Sequence, residues 1–144
     1  MRPLAPPACL AALLALAACM TDAERSENAR VDDAAAQLDA SGQRYGDGAV
    51  KDGEPVDCIE TTRIRSTDVH GDGVIDFELN GGKVYRNVLP VACPSLGFDE
   101  RFAYKTSISR LCSVDTITVL QSPGLSPGPT CGLGTFQPVK DAPR

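Results

Sequence analysis

Taken as a pattern of apolar and polar positions, the chain falls into three stretches. Leu10-Ala11-Ala12-Leu13-Leu14-Ala15-Leu16-Ala17-Ala18 is an uninterrupted apolar run, residues 20–57 hold almost no large apolar side chains, and from Cys58 onward Thr, Ile and Val alternate with polar residues. A period of two is the mark of strands with one face in a core. It is clearest in Val74–Leu79, where Ile75, Phe77 and Leu79 share one face and Asp76 and Glu78 the other. The first face is expected to be core and the second solvated. Asn80-Gly81-Gly82 follows, and Asn and Gly accept the positive φ values of tight turns, so a hairpin into Lys83–Val88 is expected.

Further strands are expected over 58–67, 101–106, 114–121 and 132–137. Ser122–Pro129 reads as a rigid surface loop, because its prolines cannot donate to a sheet ladder. About six short strands imply a mainly β fold, a small antiparallel barrel or sandwich over residues 58–139 with a tail at 140–144.

Composition changes the picture of the middle stretch. The chain carries a net charge of −5, and residues 20–57 alone hold ten acids against four bases. Such a segment cannot bury enough surface to offset its ordering entropy. Residues 19–57 are therefore expected to be a flexible acidic tether, with a frayed Ala-rich helix around Asp32–Leu38. The remainder is charge-balanced and lacks the basic stripe that neutralises phosphates, so no nucleic-acid partner is expected.

The first stretch has the layout of a secretory signal, a positive Met1-Arg2 start and an apolar run ending in small residues. Interrupted by Pro3, Pro6 and Pro7, it falls short of the roughly 20 residues of a bilayer-spanning helix. Leu16-Ala17-Ala18-Cys19 resembles the bacterial lipobox, which implies a signal peptide over 1–18 and lipid attachment at Cys19. By resemblance to lipoproteins of two-membrane bacteria, Met20, in place of an aspartate, implies passage to the outer membrane, facing the periplasm. Cys9 leaves with the signal.

Cys58, Cys93, Cys112 and Cys131 remain, an even number in an exported domain, which points to two disulfides. Four cysteines allow three pairings. The preferred one joins Cys93 to Cys112 in a compact loop and Cys58 to Cys131 as a clip from first strand to last. The spacings lack the close pairs of structural zinc sites and the Cys-x-x-Cys of thioredoxin-like redox proteins, and no cofactor is expected.

Asp68–Leu79 resembles a calcium-binding EF-hand loop, with Asp68, Asp72 and Asp76 at its first, fifth and ninth positions, Gly73 at the sixth and Ile75 at the eighth. His70 stands at the third position and Leu79 at the twelfth, where a glutamate should close the coordination sphere, and the flanks read as strands. An acidic β-turn is the preferred reading, with calcium as the alternative. His70 is the only histidine and falls on that turn. Asp76, Glu78 and Asp115 are the candidate carboxylates for glycoside chemistry; the bland reading puts Asp76 and Glu78 on the wet side of an amphipathic strand. Arg63, Arg65 and Arg86 are candidates for an anionic ligand, against a preferred role in solubility and cross-strand pairing.

Cys58-Ile59, Val84-Tyr85-Arg86, Cys93-Pro94, Leu111-Cys112-Ser113 and Pro129-Thr130-Cys131-Gly132 together resemble an uncharacterised family of small exported bacterial proteins, over residues 58 to about 139. The resemblance implies a domain but no activity and no catalytic residues. The expectation is thus a noncatalytic envelope lipoprotein, membrane-bound through its lipid, whose disulfide-stapled β domain has a structural role or binds an envelope protein or ligand. The alternatives are a cell-wall or glycan hydrolase and a calcium-binding module.

Overall fold

The computed structural model describes residues 34–144; the expected signal segment 1–18, Cys19 and the first part of the expected tether, 20–33, lie outside the described residues. Ten strands are present in this part: β1 (Val50–Lys51), β2 (Cys58–Glu60), β3 (Ile64–His70), β4 (Val74–Leu79), β5 (Val84–Val88), β6 (Phe102–Tyr104), β7 (Arg110–Cys112), β8 (Thr116–Gln121), β9 (Ser126–Gly132) and β10 (Phe136–Lys140), with a short helix α1 (Leu96–Asp99). They form a five-stranded sheet in the order β1-β10-β5-β4-β3, a three-stranded sheet β6-β8-β9 and a two-stranded ribbon β2-β7. All pairings are antiparallel. The result is sandwich-like and no closed barrel forms.

The expected central hairpin is present. Gly81 and Gly82 take φ values of 97° and 83°, and the Gly82 N–H donates to the Leu79 carbonyl at 2.9 Å. This turn places Phe77 opposite Tyr85 and Asp76 opposite Arg86. Ile75, Phe77 and Leu79 point into the main core, where Phe136 of β10, Ile117 and Val119 of β8, Ile59 of β2 and Leu111 of β7 meet them. Phe77 makes edge contacts with Phe136 and Phe102, at centroid distances of 5.5 and 6.1 Å. Burying a side chain of this kind stabilises by about 1.5–3 kcal/mol.

Several expectations change. The stretch 58–67 is divided by a 3₁₀ turn, Thr61–Arg63, into β2 and β3. The Ser122–Pro129 segment is a loop only at its start; Pro127 and Pro129 lie in β9, which tolerates them because it is an edge strand of its sheet. The last strand, β10, runs to Lys140 and so takes in the start of the expected tail.

The disulfides join Cys58 to Cys112 and Cys93 to Cys131, not Cys93 to Cys112 and Cys58 to Cys131. Strand pairing decides this, because Cys58 faces Cys112 directly in the β2-β7 ribbon, with Cα atoms 4.0 Å apart. Cys93, fully buried beyond β5, lies against the Cys131 side of β9, with Cα atoms 5.8 Å apart. Closeness in sequence carried no information about either bridge.

Residues 34–57 are part of the fold rather than a tether. Residues 34–36 are helical, Leu38 and Arg44 make bridges to Tyr45 and Val50, and β1 adds to the edge of β10. Tyr45 and Ala49 pack with Val139 in a second, smaller apolar cluster, flanked by Val84, Val88 and Ala142. That cluster lies on the face of the five-stranded sheet opposite the main core, the face expected to be wet.

Candidate functional site

On that second face the side chains of Asp76 and Glu78 from β4 and Arg86 from β5 are covered. Arg86 is fully buried, and Asp76 and Glu78 retain only 2% and 8% of their exposure. The assignment of Asp76 and Glu78 to a solvated strand face is therefore corrected, and so is the solubilising half of the reading of Arg86, whereas its cross-strand pairing with an acid, Asp76, is present. Alternation correctly separated the two faces, but the segment 34–51 and the C-terminal residues cover the polar one.

A guanidinium has five donors in a fixed fork and must find acceptors once buried. Arg86 finds them on two separate stretches of chain. Its Nε and Nη2 donate to Oδ1 and Oδ2 of Asp76 at 2.8 and 2.7 Å. Its Nη1 donates to Oδ1 of Asp47 at 3.0 Å and to the Ala35 carbonyl at 3.1 Å. Oδ2 of Asp47 lies 2.7 Å from Nη2 but accepts no hydrogen bond, so this contact is electrostatic only. The Tyr45 ring covers the guanidinium, 4.8 Å from its centroid, an arrangement favoured by the ring quadrupole.

His70 completes the cluster, its Nε2 lying 3.0 Å from Oδ2 of Asp76. Burial pushes the Asp76 carboxyl up, but hydrogen bonds and charge from Arg86, with His70 adding to both, outweigh it and hold the group below its ordinary value. Burial likewise works against the Arg86 charge, and the bonds to Asp76 and Asp47 overcome it, so the guanidinium is held more firmly protonated than usual. Burial raises the Tyr45 phenol, with Arg86 opposing.

Beside the cluster is a cleft of about 480 Å³, with Asp76 and Glu78 in its lining and Lys83, Lys140 and Arg144 among its charged walls. Glu78 accepts from Ser66 Oγ at 3.2 Å and from the exposed Arg65 at 3.5 Å, and Arg144 reaches within 3.9 Å of it. Asp115 is elsewhere: it accepts the Cys112 N–H at 2.7 Å in the turn after β7. The structure thus brings two of the three candidate carboxylates to one cleft. A general acid for glycoside cleavage needs a raised pKa, whereas Asp76 is lowered and forked by arginine.

The EF-hand-like stretch 68–79 forms the β3-β4 hairpin, with Asp68 directly opposite Asp76, where an EF-hand has a loop between helices. Asp72 is committed differently: its Oδ1 accepts the Gly97 N–H at 2.8 Å and its carbonyl accepts the Cys93 N–H at 2.6 Å. The acidic turn therefore fastens the α1 region to the hairpin tip. Among the described residues no group of three or more His, Cys, Asp or Glu side chains is placed to hold a metal ion, and no helix is long and apolar enough to cross a membrane. Arg63 is exposed at the end of the 3₁₀ turn.

Sequence reasoning missed Asp47, Tyr45 and the Ala35 carbonyl, all of which fall in the presumed tether. A signal for the Asp76–Arg86 pair was available: both lie equally far from Gly81, so a hairpin centred there sets them opposite each other. Comparison with family models, with curated proteins and with solved structures gives no match to this chain.

Proposed function

We propose that this chain is a lipid-anchored protein of the bacterial envelope, attached through Cys19, whose β domain binds a partner or serves a structural role without catalysis. The observation that carries the reading is the pair of disulfides, Cys58–Cys112 and Cys93–Cys131, since such bridges persist in oxidising compartments outside the cytosol. The Leu16-Ala17-Ala18-Cys19 junction supports it from the sequence side. Two or more acyl chains on Cys19, at about 0.8 kcal/mol per buried CH₂, give stable attachment. The cluster around Arg86 supports the noncatalytic part: Asp76 serves as the counter-ion of a buried cation, and its neighbour His70 is bonded to it. Met20 favours the outer membrane, with the domain in the periplasm.

The test is the intact mass of protein taken from a bacterial membrane fraction, before and after reduction. The expected species begins at Cys19, carries acyl chains and gains about four hydrogens on reduction, as two disulfides require. A soluble, unlipidated protein with four free thiols overturns the reading.

A further inference from the structure

Residues 34–51 form a locally bonded segment at the edge of the five-stranded sheet. Their hydrogen bonds are largely internal: Asp39 N–H to the Arg44 carbonyl at 2.8 Å, Tyr45 to Ala49 at 2.8 Å, Gly46 to Gln37 at 2.9 Å and Lys51 to Gln43 at 2.8 Å. Asp39 ties its own turn through Ser41 Oγ at 2.7 Å. Gly46 packs so closely on residue 34 that an added Cβ would stand 3.0 Å from the Ala34 carbonyl oxygen. Outside contacts are few: the two-residue pairing of β1 with β10, the small Tyr45–Ala49–Val139 cluster, and, at Arg86, the covering Tyr45 ring and the bonds to Asp47 and the Ala35 carbonyl. None of these belongs to the main core, and neither disulfide crosses into the segment. Arg86 is held from the other side by Asp76, so its fork is already oriented when Asp47 arrives.

We infer that Arg86 is a latch that docks residues 34–51 onto the sheet and thereby sets how far the domain can stand from its lipid anchor. The inference rests on the reading of Cys19 as the anchor. With the latch closed, the roughly 15 residues between Cys19 and the docked segment span at most about 50 Å. With it open, the free length extends to Asp52, whose N–H donates to the Pro138 carbonyl, with Val56 paired to Phe136 just beyond it, and the limit rises to about 110 Å. Elements with few buried contacts open at lower cost than the global fold, so the segment releases while the disulfide-closed body stays intact. Opening uncovers a preoriented carboxylate receptor at Arg86 and the Val139–Lys140 end of the β10 edge.

The test is timed trypsin treatment of membranes carrying the full chain, with released fragments identified by mass. Arg44 and Lys51 are the two cleavage sites within the docked segment. In the wild type a fragment beginning at Tyr45 should form slowly. In Asp47→Ala, which leaves the Arg86–Asp76 fork in place, it should form roughly tenfold faster or more, as expected for loss of a bond to a charged group. Its C-terminal body should remain uncut at Arg63, Arg65 and Arg86, which distinguishes release of the segment from unfolding. Asp52→Ala removes a neighbouring exposed carboxylate, which lies 4.0 Å from Lys140, and should match the wild type. Equal cleavage in wild type and Asp47→Ala, or cutting of the body at the same rate as the segment, overturns the latch. Protein found in the soluble fraction before any trypsin instead overturns the anchor, independently of the cleavage pattern.

Discussion

Arg86 and Asp76 are direct partners across the β4-β5 ladder, and both oxygens of the carboxylate are engaged by the fork, at 2.8 and 2.7 Å, with neither residue open to water. A pair removed from solvent in this way adds little net stability over apolar residues of equal volume, yet breaking it leaves an uncompensated charge. This asymmetry makes the pair a sensitive point of the fold.

Arg86→Leu should destabilise the protein by about 3–5 kcal/mol, since it strands Asp76. The double variant Arg86→Leu/Asp76→Leu should lose clearly less than Arg86→Leu alone. Urea unfolding midpoints of the wild type, both single variants and the double complete the cycle. A double variant as unstable as the sum of the singles would show that the two side chains act separately.

Acid should weaken the domain with a defined sign. The Asp76 carboxyl is held below its ordinary value of 3.8, so the unfolded chain takes up its proton first as the pH falls. Its contribution is complete above 3.8 and disappears as the pH drops through the lower, folded value. Denaturant midpoints measured from neutral pH down to about pH 2 should show this loss, and the part due to this residue should be missing from Asp76→Asn, which begins less stable.

The bridges are open to direct mapping. Proteolysis without reduction should yield one linked pair of peptides containing Cys58 and Cys112 and another containing Cys93 and Cys131. Replacing either pair with serine should cost about 2–4 kcal/mol, read from the thermal midpoint. A linked Cys93–Cys112 peptide would contradict the strand arrangement itself, because Cys112 lies opposite Cys58 in the ribbon.

At the contact between α1 and the β3-β4 tip, an added Cβ on Gly97 would stand 2.7 Å from the Gly71 Cα. Backbone meets backbone there, so no flexible side chain can give way. Gly97→Ala should cost about 1–3 kcal/mol. Gly132→Ala, where a Cβ meets nothing within 4 Å, serves as the comparison in the same unfolding experiment.

The hairpin around Asn80-Gly81-Gly82 and the inward face Ile75-Phe77-Leu79 were readable from the chain alone, because turn chemistry and side-chain alternation are local properties. So was the existence of two disulfides, from the four cysteines that follow residue 57 in a chain whose sequence reads as exported. The partners of those cysteines were not readable. They depend on β2 meeting β7 and on Cys93 reaching β9, contacts between residues far apart in sequence. Pro127 and Pro129 argued against a strand, and only the position of β9 at a sheet edge reverses that argument.

The candidate site divides in the same way. By itself the sequence determined the mainly β character, the register that sets Asp76 against Arg86, and the chemistry available on the second face of the sheet. Only the tertiary structure decided whether that face is wet or buried. Alternation separates the two sides of a strand but cannot say what covers either of them. The covering segment, residues 34–51, is short of large apolar side chains and could not form a core of its own; it is held by backbone bonds, one tyrosine and a guanidinium whose counter-ion comes from another strand. An acidic stretch that is read as tether in isolation becomes structure because its Asp47 finds a cation already positioned by the sheet.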